Sequence, residues 1–229
     1  APRYIQRIGS YLSRIYLTFT DEICHRFSDI SHFDNAIKAA DEQIGKIWKA
    51  VKSREKSFNE DYLLIVTTDH GRDAETGKNH GGQSDREKAG WIVTNSDRLN
   101  QRFRQAPTVV DIMPSIAHHL QLEIPEEIRK EMDGVSFIGD VVVSDLKAAR
   151  KNTDIQLQWK SHIANDDLQA EVLVSRSNHF REGGKDDYVK AGQVRVSEED
   201  FTFPADTGFY KILLKVPGQY LNAWVLPAK

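Results

Sequence analysis

The distribution of apolar and polar residues along the chain has two textures, and the change between them falls near residue 140. Before it, apolar positions come in short unbroken runs and helical stripes. Ile15-Tyr16-Leu17-Thr18-Phe19-Thr20 is β-branched and aromatic, and it reads as a buried strand closed by Asp21. Phe33, Ile37, Ala40, Ile44, Ile47, Trp48 and Val51 recur at helical spacing, so residues 31–55 predict a long amphipathic helix packed on a sheet. Ser31 with Asp34 resembles a capping box at its start. The run Tyr62-Leu63-Leu64-Ile65-Val66 predicts a second strand, ending at Asp69-His70, and Gly90–Thr94 a third. Pro107 opens a helical run from Val109 to Leu120, and Pro125 follows its end. Strand, helix, strand, strand, helix is the order of an α/β layer with a mainly parallel sheet.

Beyond residue 140 the helical period disappears. Segments 155–159, 170–174, 209–216 and 221–226 read as strands separated by turn-like clusters such as REGGKDD and PADTG. Short strands at this spacing predict a small antiparallel β-sandwich. The expected division is therefore residues 1–144, α/β, and residues 145–229, all-β.

Composition narrows the function classes. A length of 229 residues suits one large domain or two smaller ones. A net charge of -3 leaves no basic footprint for nucleic acid. No apolar run approaches the roughly 20 residues of a transmembrane helix. Cys24 is the single cysteine, so no disulfide framework or thiolate-pair zinc site is available.

The chemistry-bearing residues gather at predicted strand ends, where α/β sheets bind ligands. Asp21 has His25 four residues on, one helical turn away. Asp69 and His70 close the next strand. His80 follows a polar loop and precedes Gly81-Gly82, which let backbone approach a site. Carboxylate oxygen and imidazole nitrogen are good zinc ligands. Asp21, His25, Asp69, His70 and His80 are therefore candidate metal ligands. Adjacent residues on a helix point about 100° apart, so His118 and His119 cannot easily share an ion and read as structural or surface residues. Asp73, Glu75 and Asp85 read as solvating the loop, and Asp111 as tying a helix start.

Asp21-Glu22-Ile23-Cys24-His25 resembles the D-x-x-x-H element of the alkaline phosphatase superfamily, nearest to its nucleotide pyrophosphatase/phosphodiesterase branch. TTDHG at 67–71 resembles that superfamily's S/T-D-H-G element, NHGG at 79–82 its third histidine element, and VVDIMP with MDG a later segment. The resemblance covers residues 1 to about 140, and its elements occur in the family's order. It implies an α/β/α sandwich with a mainly parallel sheet and two Zn²⁺ (alternatively Mn²⁺) about 4 Å apart, clamping the attacking and leaving oxygens of a phosphate ester. By position, Asp21, His25 and His80 would hold one ion, and Asp69 and His70 would help hold the other.

The same resemblance places the nucleophile, a Thr or Ser, and one further aspartate in an earlier half of the domain. The expected partner is that missing amino-terminal half, and this chain alone is expected to be inactive. A sulfatase or metal-dependent phosphomutase of the same superfamily is the alternative activity. From another class, the alternative is a non-catalytic fragment whose sandwich binds glycan or protein. The sandwich resembles a fibronectin type III or immunoglobulin-like module, with Trp159 and Tyr210 in fitting places and Tyr220 and Trp224 as candidate glycan contacts. Such hydrolases commonly work outside the cytoplasm, so a periplasmic or extracellular location is expected.

Overall fold

The computed structural model describes residues 11–28, 31–164 and 167–228. The chain divides into two compact units, one ending at Asn95 and the other beginning at Ser96.

In the first unit, helix α1 spans Phe19–Phe27 and α2 Ser31–Phe58. Strand β1 (Ile65–Thr67), the short helix α3 (Asp85–Lys88) and strand β2 (Ile92–Thr94) follow. The strand expected over residues 15–20 does not form. Residues 12–18 carry no regular structure, and Ile15 and Tyr16 are exposed. A strand is held by a paired edge, and none meets this segment among the described residues. The helix has local support instead, with Asp21 and Glu22 in its first turn and His25 and Arg26 in its last, matching its dipole at both ends. Cys24 is buried, as a small apolar side chain would be.

Helix α2 is the long amphipathic helix that the periodicity predicts, but only part of its stripe is buried. Ile47, Ala50 and Val51 form a small core against Trp48, Tyr62 and Leu64, while Ile37 stays exposed. Ser31 is the first residue of α2, and the residue before it lies outside the described residues. Buried Arg54 closes the far end by donating from Nε to Glu60 Oε2 at 2.6 Å. The Tyr62 hydroxyl donates to the same oxygen at 3.0 Å, so the exit of α2 is pinned to the chain entering β1.

Strands β1 and β2 pair antiparallel, with Val66 opposite Val93. This corrects the mainly parallel sheet: every strand pair of the described residues is antiparallel. A parallel pair needs a crossover of a dozen or more residues, usually a helix. The connection between β1 and β2 is long enough, but its one helix among the described residues is the 4-residue α3, too short to cover a sheet face as a crossover helix does.

The second unit opens with α4 (Gln101–Arg104), a 3₁₀ turn (Val109–Asp111), α5 (Ile112–His119) and α6 (Glu126–Arg129). Its strands are β3 (Val143–Lys151), β4 (Asp154–Ser161), β5 (Gln169–Ser175), β6 (Val189–Arg195), β7 (Asp200–Pro204), β8 (Tyr210–Val216) and β9 (Gln219–Val225). They form a three-stranded sheet, β3-β4-β7, and a four-stranded sheet, β6-β5-β8-β9. Alternate residues of these strands, among them Ile155, Leu157, Trp159, Val172, Ile212 and Leu214, fill one core. Trp159 Nε1 donates to the Val196 carbonyl at 2.9 Å, and the Tyr210 hydroxyl accepts from the Asp206 N–H at 3.1 Å, tying a corner as tyrosines do in such sandwiches.

The helical segment before β3 belongs to the same compact unit because side chains tie it to the strands. Arg102 donates to Asp145 Oδ1 at 2.8 Å, and the Tyr220 hydroxyl to Glu126 Oε1 at 2.7 Å. Asp111 is fully buried and anchors this segment. Its Oδ2 accepts from the Thr108 N–H at 2.7 Å and from Arg102 Nε at 2.9 Å, and its Oδ1 accepts from the Val135 N–H at 2.7 Å. Gly134 sits where the Val110 carbonyl would strike any Cβ, so the MDG element carries glycine for close backbone approach.

A second buried cluster lies among α6, β8 and the loop after β5. Lys211 Nζ donates to Asp186 Oδ2 at 2.7 Å and also to Glu131, all three side chains being almost fully buried. Burial would push the Asp186 carboxyl up, but hydrogen bonds from Lys211, Ser177 and the His179 N–H outweigh it and hold the carboxyl at about 2, below its ordinary 3.8. Folding thus favours the ionised form. That stabilisation is fully present above about pH 4 and is lost as the pH falls through about 2. Acid titration followed by circular dichroism of the sandwich should show stability declining across that window. An Asp186→Asn variant should lack that part of the decline, and an unchanged profile would remove Asp186 from this role.

Candidate metal centre

Four of the five predicted residues converge in the first unit. Asp21 lies in the first turn of α1, and its i+4 neighbour His25 shares the same helix face, with Nε2 at 3.4 Å from Asp21 Oδ2. His70 stands three residues past β1, with Nε2 at 4.0 Å from Asp21 Oδ1. His80 comes from the loop, with Nε2 at 3.7 Å from Asp21 Oδ1 and 3.2 Å from His25 Nε2. The His70 and His80 rings stack with centroids 3.9 Å apart. Ligand atoms of Asp21, His70 and His80 lie within 4.8 Å of one another. Asp69 is placed differently. Its side chain is 64% exposed, and Oδ1 lies 3.6 Å from His70 Nε2, at the edge of the cluster.

The cluster depends on the loop between Gly71 and Gly82, which is held by its own polar bonds. Asp73 accepts from the Thr76 N–H at 2.6 Å and the Asn79 N–H at 2.7 Å, and these bonds hold its carboxyl well below the usual range. Asp73 therefore organises the loop, where the sequence suggested plain solvation. Glu87 accepts from Ser84 Oγ and from the Gly82 N–H at 2.9 Å, and its carboxyl is likewise held down, first by Ser84. Ser84 and Glu87 form a complete capping box on α3. The Gly71 N–H donates to the Glu87 carbonyl at 2.8 Å, and a Cβ there would strike the Arg86 carbonyl oxygen. The glycine of the DHG element is thus required for close backbone approach.

Proton positions around the centre follow from these bonds. His70 Nδ1 lies 3.0 Å from the Gly71 carbonyl, which can only accept, so Nδ1 is the donor of that bond and Nε2 is the nitrogen on the side of Asp21. Arg72, which the sequence reading passed over, enters the centre between the histidines. Its Nη2 donates to Asp21 Oδ1 and, at 3.1 Å, to the Asp21 carbonyl. Its Nη1 donates to the Lys78 carbonyl at 3.0 Å and lies 3.4 Å from His25 Nε2. The available signal was position: a permanent cation one residue after D-H-G sits inside any site that the motif builds.

The remaining histidines and aromatics lie elsewhere. The His118 ring covers Gly139, and His119 Nδ1 meets Arg98 Nη2 at 3.2 Å, so the adjacent pair is structural. Tyr220 is buried with its hydroxyl on Glu126, which removes it as an exposed glycan platform, while Trp224 is half exposed.

A family model described as type I phosphodiesterase / nucleotide pyrophosphatase matches residues 9–180. No curated protein matches the chain. Among solved structures, a pectate lyase from Pectobacterium carotovorum is 16% identical at a TM-score of 0.28, over 39% of this chain and 28% of that one. The spore cortex lytic enzyme of Clostridium perfringens is 14% identical at 0.27, over 40% of this chain and 29% of that one. The fn3 domain of human contactin 1 is 10% identical at 0.27, over 40% of this chain and 82% of that domain. At such scores none of these likenesses bears on the reading of the site.

Proposed function

Because this chain belongs to the type I phosphodiesterase / nucleotide pyrophosphatase family, we propose that it forms the metal-binding part of a phosphate ester hydrolase. In this reading Asp21, His25, His70 and His80 are ligands and Asp69 completes the set. The observation that carries it is the spacing of the donor atoms. Four ligands at roughly 2.0–2.1 Å from a tetrahedral zinc lie about 3.3 Å from one another. Four of the six pairs lie at 3.2, 3.4, 3.7 and 4.0 Å, with His25 facing Asp21 Oδ2 and His70 and His80 facing Oδ1. Imidazole nitrogens and one carboxylate favour Zn²⁺ over Mn²⁺, which prefers oxygen.

A bound zinc ion, or a pair of them, would supply Lewis-acid stabilisation of phosphate oxygens. The protein's share is to set Asp21 on α1, to orient the His70 ring through the Gly71 bond, and to fix the His80 loop through Asp73 and Glu87. The nucleophile is supplied from outside this cluster. Three nearby hydroxyls are committed to carbonyls: Thr67 to Trp91 at 2.8 Å, Thr68 to His70 at 3.0 Å, and Ser28 to Thr76. The partner is then a segment carrying a Ser or Thr and a further aspartate, and this chain by itself binds metal without turnover. We read residues 145–229 as a fibronectin type III-like module, supported by the strand order and the Tyr210 corner. A site of action outside the cytoplasm follows from the same family reading. Among the described residues no helix is long and apolar enough to cross a membrane.

The test is calorimetric titration of the metal-free chain with zinc, beside an assay with a chromogenic phosphodiester. At least one zinc per chain should bind, with no turnover until the nucleophile-bearing segment is added. A folded chain that takes up no zinc would sink the ligand assignment.

A further inference from the structure

We propose that Arg72 is a latch on this centre, a resident cation that occupies Asp21 and His25 and competes with the incoming metal ion for them. The proposal rests on the reading of those residues as ligands. The Arg72 side chain is 11% exposed, and both of its terminal nitrogens are fully engaged. Two of their bonds go to main-chain carbonyls, of Asp21 on α1 and of Lys78 in the loop. These anchors belong to the protein and persist whether or not an ion is bound. The other two contacts go to side-chain atoms that the ion needs, Asp21 Oδ1 and His25 Nε2.

Arginine stays charged at every accessible pH and can only donate. Its Nη1 stands 3.4 Å from His25 Nε2, so the guanidinium lies against a nitrogen that the ion would need. The same charge opposes the ion, because guanidinium and dication share one carboxylate. No N–H of the terminal nitrogens is left to bind substrate, which separates this role from that of a phosphate-binding arginine.

A plain clasp between α1 and the loop would also place Arg72 here, and two substitutions separate the readings. Arg72→Met removes charge and bonds together, whereas Arg72→Lys keeps the charge and loses the fork. Zinc affinity of the whole chain is measured by competition with a chelating dye, and thermal stability is measured with and without zinc. As a latch, Arg72→Met should bind zinc about tenfold or more tighter, because loss of the like charge outweighs loss of preorganisation. Arg72→Lys should stay within about threefold of the parent because its charge remains. Metal-free Arg72→Met should melt lower than the parent, and zinc should close the gap. If Arg72→Met does not fold without metal, Arg72→Gln, which can still donate to the Lys78 carbonyl, should show the same tightening.

A folded Met or Gln variant that binds zinc equally or more weakly, beside a parent that binds it, overturns the latch and leaves the ligand assignment standing. Zinc binding by neither parent nor variant overturns the ligand assignment and the latch together.

Discussion

Asp21→Asn should cost the chain at least a hundredfold in zinc affinity, about 2.7 kcal/mol. Asp21 is the hub of the centre, since its two oxygens face His25, His70, His80 and Arg72. Asparagine keeps the shape and removes the charge. It also turns an amide N–H₂ toward nitrogens or toward the guanidinium, where only an acceptor is useful. Loss of a group that merely orients ligands costs about 10–100-fold, so loss of the anionic ligand at the hub belongs above that range. The measurement is zinc titration at fixed pH and salt, with circular dichroism to establish that α1 and α2 persist. An Asn variant that folds and binds within threefold of the parent would remove Asp21 from the ligand set and turn the cluster into a polar loop anchor.

The second large effect concerns stability and lies in the other unit. Asp111→Ala should destabilise it by about 3–5 kcal/mol, the usual cost of stranding a buried charge. Arg102 is buried, with Nε and Nη2 on Asp111 Oδ2 at 2.9 and 2.8 Å, and it would be left with the part-exposed Asp145, at 2.8 Å from Nη1, as its counter-charge. The Thr108 and Val135 N–H groups would lose their acceptor as well. Urea unfolding followed by the fluorescence of Trp159, buried in the sandwich, reads the change. The paired substitution Arg102→Met with Asp111→Leu should cost less than Asp111→Ala alone, because it leaves no buried charge unpaired. A loss below about 1 kcal/mol for the single variant would mean that water reaches Arg102 and that the network carries little of the stability.

The two predictions act on different parts of the molecule, so they also test its division. Asp21→Asn should leave the urea midpoint of the sandwich unchanged, and Asp111→Ala should leave zinc affinity unchanged while the second unit stays folded. Coupling between sites that share no partners is usually within about 0.5 kcal/mol.

Much of the candidate site was legible because its chemistry is local. Asp21 and His25 are four residues apart, so any helix places them on one face, and His70 and His80 announce themselves by residue type beside glycines. The error lay in the element that carries Asp21. A β-branched run reads as a strand, but a strand exists only with a partner edge, and the helix over Phe19–Phe27 had the better local terms. Arg72 was missed because its role comes from carbonyls at Asp21 and Lys78, which no pattern of side chains along the chain reveals.

The sequence by itself determined the period of each half of the chain and the ligand types, because these follow from residue chemistry and spacing of a few positions. The α2 stripe, the alternation in β4 and β5, and the D-x-x-x-H and D-H-G elements are all of that kind. Only the tertiary structure decided that β1 and β2 run antiparallel, that α4 to α6 join the sandwich in one compact unit, and that Lys211 is buried between two carboxylates. Each of these depends on contacts between residues far apart in sequence, whose free energy is set by burial and pairing once the chain has closed on itself.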